Sequence, residues 1–211
     1  MALKIKHSYD DYGGYHEPVA YFRVKFRDVF SMKHFYYMLH EWVIEEDWCN
    51  ESNITFPETF YLKRENQETG VESFIHWKFS RYPWSRTKAK TWRCDMFIWF
   101  HILHLKDTEV LHEGQKFKAN TGEVEIKVWA HLVPDQFLKW KKNAFLRPWM
   151  DVAWKRFFYK EREQYKNFFY REVFRFQEAM KTYFKLVTFM PEPELQRFYQ
   201  TKDFDRNPRG Q

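Results

Sequence analysis

Six glycines, at positions 13, 14, 70, 114, 122 and 210, are too scattered for a glycine-rich phosphate loop, a Walker motif or a nucleophile elbow. Two cysteines, Cys49 and Cys94, exclude a disulfide framework and stand at no metal-ligand spacing. Cys-x-x-Cys, His-Glu-x-x-His and kinase motifs are all missing. So are long apolar runs. Met96 to Leu105, the longest uncharged stretch, contains two histidines and falls well short of the roughly 20 residues a spanning helix needs, so no membrane span is expected. Met1-Ala2-Leu3-Lys4-Ile5-Lys6 lacks the apolar core of a signal peptide. The cytoplasm, or a virus-like particle assembled there, is the expected location. These absences predict a non-enzymatic chain with no cofactor and no metal. The alternative is a catalytic site dispersed along the sequence.

Aromatic rings are what the chain has in excess, at 22% of its residues, with 23 Phe, 13 Tyr and 10 Trp. Each buried ring removes roughly 150–250 Å² from water, and a body of 211 residues has limited room for so many. Some are therefore expected at the surface, where apolar area marks a contact site; the plainer reading is that they replace Ile and Leu in an ordinary core. With 44% hydrophobic and 30% charged residues the composition is otherwise globular. The net charge of +6 is unevenly spread. Residues 1–133 carry 18 basic and 19 acidic side chains, residues 134–190 carry 13 and 6, and the tail balances four against four. The basic excess lies on the helical part, where it can attract polyanions or simply maintain solubility.

Periodicity gives the elements. Ala20, Phe22, Val24 and Phe26 alternate with Tyr21, Arg23, Lys25 and Arg27, a half-buried strand with a basic outer face. Ser31 can cap a helix to about Asp47, with Phe35, Leu39 and Trp42 on its apolar stripe and Glu41, Glu45 and Glu46 outside. Residues 60–64 and 71–80, split by a polar turn at 65–70, read as a hairpin. Cys94 to Lys106 is apolar on both faces, the pattern of a central strand covered twice. Glu123 to Val133 alternates again. A short helix is expected over about 136–145. A long one should follow, opening near Pro148, carrying a stripe from Met150 through Trp154, Phe158, Phe169, Phe176 and Met180, and ending before Pro191. Unbroken to Val187 it would run roughly 60 Å, more than a compact body of this size can hold, so it should break, near 160–163, or project.

The predicted fold is α+β: a mainly antiparallel sheet of five or six strands, one helix after the first strand, and a C-terminal long-helix section on one face. Residues 1–190 read as one domain, sheet-rich over 1–133 and helical over 134–190, followed by a polar tail at 191–211 whose Phe198, Tyr199 and Phe204 could dock.

Two candidate surfaces follow. The segment 78–93 has no acid and interleaves cations with rings. Arg81, Trp84, Arg86, Lys88, Lys90, Trp92 and Arg93 could neutralise phosphates and stack unpaired bases of RNA or single-stranded DNA, or form a solvated loop with its tryptophans packed beneath. Arg23, Lys25 and Arg27 could extend that patch or simply guard a sheet surface. On the long helix, Phe157, Tyr159, Phe168, Tyr170 and Phe174 suggest a second apolar band, because residues 11 apart align after three turns. A helix apolar on two sides must be covered on two sides, either by its own sheet and helices or by a homo-oligomer or larger protein assembly. His101 and His104 lie on opposite faces of a strand and His34 and His40 on different faces of a helix, so neither pair reads as a metal site. The leading expectation is a structural or interaction protein that assembles through the aromatic helix; nucleic-acid binding at 81–93 is the alternative.

Overall fold

The computed structural model describes residues 16–49, 56–83, 92–112, 115–134, 140, 143 and 145–185. Five strands and two substantial helices follow in the order β1 (Glu17–Phe30), α1 (Met32–Glu45), β2 (Glu58–Asn66), β3 (Gly70–Arg81), β4 (Trp92–His112), β5 (Gln115–Pro134) and α2 (Tyr159–Tyr183). The strands form one antiparallel sheet ordered β1-β5-β4-β3-β2. This is the predicted α+β architecture, and the doubly apolar strand β4 is central as expected. The expected second covering is not found among the described residues: both helices lie on one face, and Phe97, Trp99 and Leu103 on the other are half-buried among the side chains of neighbouring strands.

Three consecutive hairpins lay down β2 to β5, and β1 then closes against β5 at the far edge. The intervening α1 therefore crosses from one edge to the other. Ser31 starts it: its hydroxyl accepts from the His34 amide at 3.4 Å. At the β2–β3 turn Gly70 has φ +90°, and a Cβ there would meet the Leu105 carbonyl oxygen at 2.8 Å, so glycine is required twice over. The close approach comes where β4 bulges between Leu103 and Lys106, with His104 at φ 53°.

Both helices cover the same sheet face. That face is built from Phe22 and Val24 of β1, Ile75, Trp77 and Phe79 of β3, Met96, Ile98 and Phe100 of β4, and Ile126 and Val128 of β5, all buried. The helices lie antiparallel along it. Phe35 meets Tyr183 (5.1 Å between ring centroids), Trp42 meets Phe176 (4.8 Å) and Trp48 meets Phe169 (6.1 Å). From the sheet, Phe22 reaches Phe174 (5.8 Å) and Trp77 reaches Tyr36 (5.1 Å).

The opposite face carries a ladder of rings across all five strands. Phe60 of β2 stacks on His76 of β3 (4.9 Å), His76 on Trp99 of β4 (4.8 Å), Trp99 packs edgewise on Trp129 of β5 (4.8 Å), and Trp129 tilts against Tyr21 of β1 (5.5 Å). Such cross-strand pairs each contribute roughly 0.2–1 kcal/mol.

The long helix is interrupted, and earlier than 160–163. Pro148 does open a helical run, a 3-10 turn over Arg147–Trp149, followed by one α-turn at Met150–Val152. A π-turn over Ala153–Phe157 then inserts extra chain, and Phe158 leaves helical geometry before α2 begins. The break turns Trp154 and Phe158 toward Met150, Ala153 and Trp140 as a satellite core. A π-turn loosens the backbone ladder; here Arg162 donates to the Trp154 carbonyl at 3.5 Å and lies over the Trp154 ring at 4.8 Å. The helix expected over 136–145 falls mostly outside the described residues.

Candidate interaction surface

The described ends of the basic loop are built into the body. Arg81 leaves the end of β3 and pairs with Glu172 of α2 at 3.1 Å, its guanidinium 5.5 Å from the Trp48 ring. Trp92 opens β4 on the helix-covered face and is buried between Trp154 (5.9 Å) and Tyr165 (6.1 Å). Arg93 grips the buried Asp95 with two hydrogen bonds, at 2.7 and 3.1 Å, and Ser80 donates to the same carboxylate at 2.8 Å. These three residues act as structural ties. Trp84, Arg86, Lys88 and Lys90 lie outside the described residues. The strand cations are also engaged: Arg23 meets Glu125 at 2.7 Å and Lys25 meets Glu123 at 2.8 Å, across the β1–β5 register.

The five rings proposed as a second helical band do not share one surface. Phe174 is buried on Phe22, and Tyr170 tilts against Phe174 at 4.5 Å, where burial raises its phenol above the usual range. Phe168 is half-buried edgewise on Phe169 (5.2 Å), and Tyr159 is half-buried under the Arg162 guanidinium (5.3 Å). Phe157 is different, with 74% of its surface exposed. The eleven-residue alignment of Phe157 with Phe168 assumes a continuous α-helix, and the π-turn with the break at Phe158 destroys that phase.

Phe157 instead belongs to a cluster that periodicity alone did not single out. Phe145 is 79% exposed, Trp149 59% and Val152 40%. All four lie within or just before the wound segment of 3-10, α- and π-turns that precedes α2. The inner side of the same segment is already filled by Met150 and Ala153. Arg147, Lys155, Arg156 and Lys160 are exposed beside the rings, and none pairs with a carboxylate among the described residues. Asp151 is the only acid in residues 145–160. Four of the exposed large apolar side chains among the described residues thus fall in one short, basic segment.

A partly apolar concavity lies along α1. Two adjoining hollows, of about 760 and 570 Å³, share Tyr36, Tyr37 and Glu58. The larger is floored by Ile75, Ile102 and Leu105 of the sheet and edged by Tyr61 of β2; the smaller is walled by Phe56, His40 and Glu41. At their junction Tyr36 donates to Glu58 at 2.6 Å and the Trp77 indole to the same oxygen at 3.3 Å. Burial, then the neighbouring Glu58, pushes the Tyr36 phenol far above its ordinary range. Tyr37, Glu41 and Glu45 form one line on the outer side of α1, four residues apart, and Asp47 follows past the helix end.

His101 contacts Glu72 (3.2 Å) and His104 the Thr69 carbonyl (3.2 Å), so the two rings do not converge. No helix among the described residues is long and apolar enough to cross a membrane. No protein-family model matches the chain, and no curated protein matches it either.

Proposed function

We propose that this chain is a non-enzymatic interaction protein that builds a larger assembly with copies of itself, and that segment 145–157, at the head of its long helix, is the contact. One observation carries this reading. Phe145, Trp149, Val152 and Phe157 stand exposed on a segment whose inner side is already packed. At 150–250 Å² per ring, the three aromatics present roughly 300–500 Å² of apolar surface to water, comparable to the largest patch of a typical monomer, which is often functional. Covering each side chain is worth about 1.5–3 kcal/mol, so together they can offset much of the cost of association. The basic surround excludes water-loving neutral partners less than it selects acidic ones.

The test is sedimentation velocity or light scattering over a wide concentration range. The wild-type mass should rise with concentration, and the double variant Trp149→Glu/Phe157→Glu should stay monomeric. Because neither side chain supports the core, the variant should unfold within about 0.5 kcal/mol of wild type. A wild-type protein that is monomeric at every concentration overturns the proposal.

A further inference from the structure

We infer that the acceptor for segment 145–157 is the groove along α1 of a second copy, so that the assembly grows head to tail; this rests on the self-assembly proposed above and names the surface that completes it. Charge decides against the simplest alternative, a twofold contact of the segment with itself. That arrangement would bring Arg147, Lys155, Arg156 and Lys160 of one copy against the same four cations of the other, with Asp151 as the only acid within residues 145–160 of each. The segment needs a partner surface that is aromatic or apolar and acidic.

Such a surface is present on the same chain. Residues 41–47 contain four acids and no lysine or arginine. Glu46 is held by Arg175 at 2.6 Å, whereas Glu41, Glu45 and Asp47 have no lysine or arginine partner among the described residues. Of these, Glu41 lines the hollow walled by Tyr36, Tyr37 and Phe56, about 570 Å³ in volume, with Glu58 as its other carboxylate, and Glu45 follows one helical turn after Glu41. Tyr37 is 64% exposed at its lip. A ring of the segment seated between Tyr37 and Phe56 would leave its flanking cations over the carboxylates of α1. Because donor and acceptor are different surfaces of one chain, each bound copy presents a fresh donor and a fresh acceptor, which yields a ring or a filament rather than a closed dimer.

Complementation tests this. The donor variant is Trp149→Glu/Phe157→Glu; the acceptor variant is Glu41→Lys/Glu45→Lys, which alters one half-buried and one exposed position on α1 and leaves its buried stripe intact. Circular dichroism and thermal melts first establish that both fold. Each alone should remain monomeric, or assemble only at concentrations at least about tenfold above wild type at low salt. Mixed one to one they should form a discrete 1:1 dimer that does not grow, because the donor variant keeps a good groove and the acceptor variant a good segment. If wild type and the acceptor variant assemble alike while the donor variant does not, the segment is the contact but this groove is not its acceptor. A mixture that stays monomeric also overturns head-to-tail docking. A wild type that never assembles removes both proposals together.

Discussion

Phe176 lies in α2 and Phe157 in the π-turn that precedes it; one is fully buried and the other is 74% exposed. Their neighbours account for the difference. Phe176 lies where α2 is covered twice, by the sheet beneath and by Trp42 of α1 beside it at 4.8 Å. The antiparallel pairing of the helices, from Phe35 with Tyr183 to Trp48 with Phe169, reaches the end of α1 before it reaches the start of α2. Segment 145–157 therefore has no α1 opposite it, and its outer rings stay bare. The charges divide in the same way. In the body, Arg81, Glu172, Arg175 and Glu46 link β3, α2 and the end of α1 in one chain of ion pairs, whereas the cations of the segment have no such partners among the described residues. How many elements lie over a position, rather than residue type, decides which aromatics and which charges remain for contact.

The largest effect expected from this contrast is in the core. Phe176→Ala should cost about 3–5 kcal/mol in urea denaturation, the usual penalty for emptying a fully packed aromatic site. A loss below about 1 kcal/mol would mean that the two-sided covering of α2 is not what stabilises it. An intermediate effect is expected at Arg81, whose side chain is 16% exposed against 14% for Glu172. Arg81→Met should destabilise by about 1–3 kcal/mol, since Glu172 keeps Arg175 but loses its better-buried partner. Lys155→Met, in the exposed segment, should stay within about 0.5 kcal/mol. Equal effects at Arg81 and Lys155 would erase the distinction between the two regions.

Much of this architecture is legible in the residues. Period-two alternation locates β1 and β5, the two-sided apolar run of 94–106 marks the central strand, and Ser31 announces α1. Three features are not legible, for different reasons. β4 runs on to His112 and β5 begins at Gln115, because polar pairs such as Glu109 with Lys118 continue the ladder without any apolar period. The ring ladder of Phe60, His76, Trp99, Trp129 and Tyr21 depends on cross-strand register, which no single segment encodes. The π-turn shifts helical phase by inserting chain, so a band drawn through Phe157, Phe168 and Phe174 assumes a periodicity that the backbone does not keep. The exposed segment was half legible: a run apolar on two sides was recognisable, but not which of its sides would lack cover.

The smallest effect is electrostatic and concerns the sheet face opposite the helices. One oxygen of Glu125 lies 2.7 Å from Arg23 and 2.8 Å from Lys127. Burial alone would raise this carboxyl, but the hydrogen bond and charge of Lys127, with Arg23, outweigh it and hold the group below the usual range. A depressed folded value fixes the sign. Above the unfolded value, near 4.3, the carboxylate is ionised in both states and its full contribution to stability is present. As pH falls past that value the unfolded chain takes up the proton first, and the contribution is lost by the time pH has dropped through the folded value. Wild type should therefore lose more stability between pH 7 and pH 3 than Glu125→Gln does, with the divergence confined to the acid side of the unfolded value. Parallel pH profiles would show that the cations around Glu125 do not favour its ionised form. That would leave the body with no measurable advantage over segment 145–157 in the use of its surface charge.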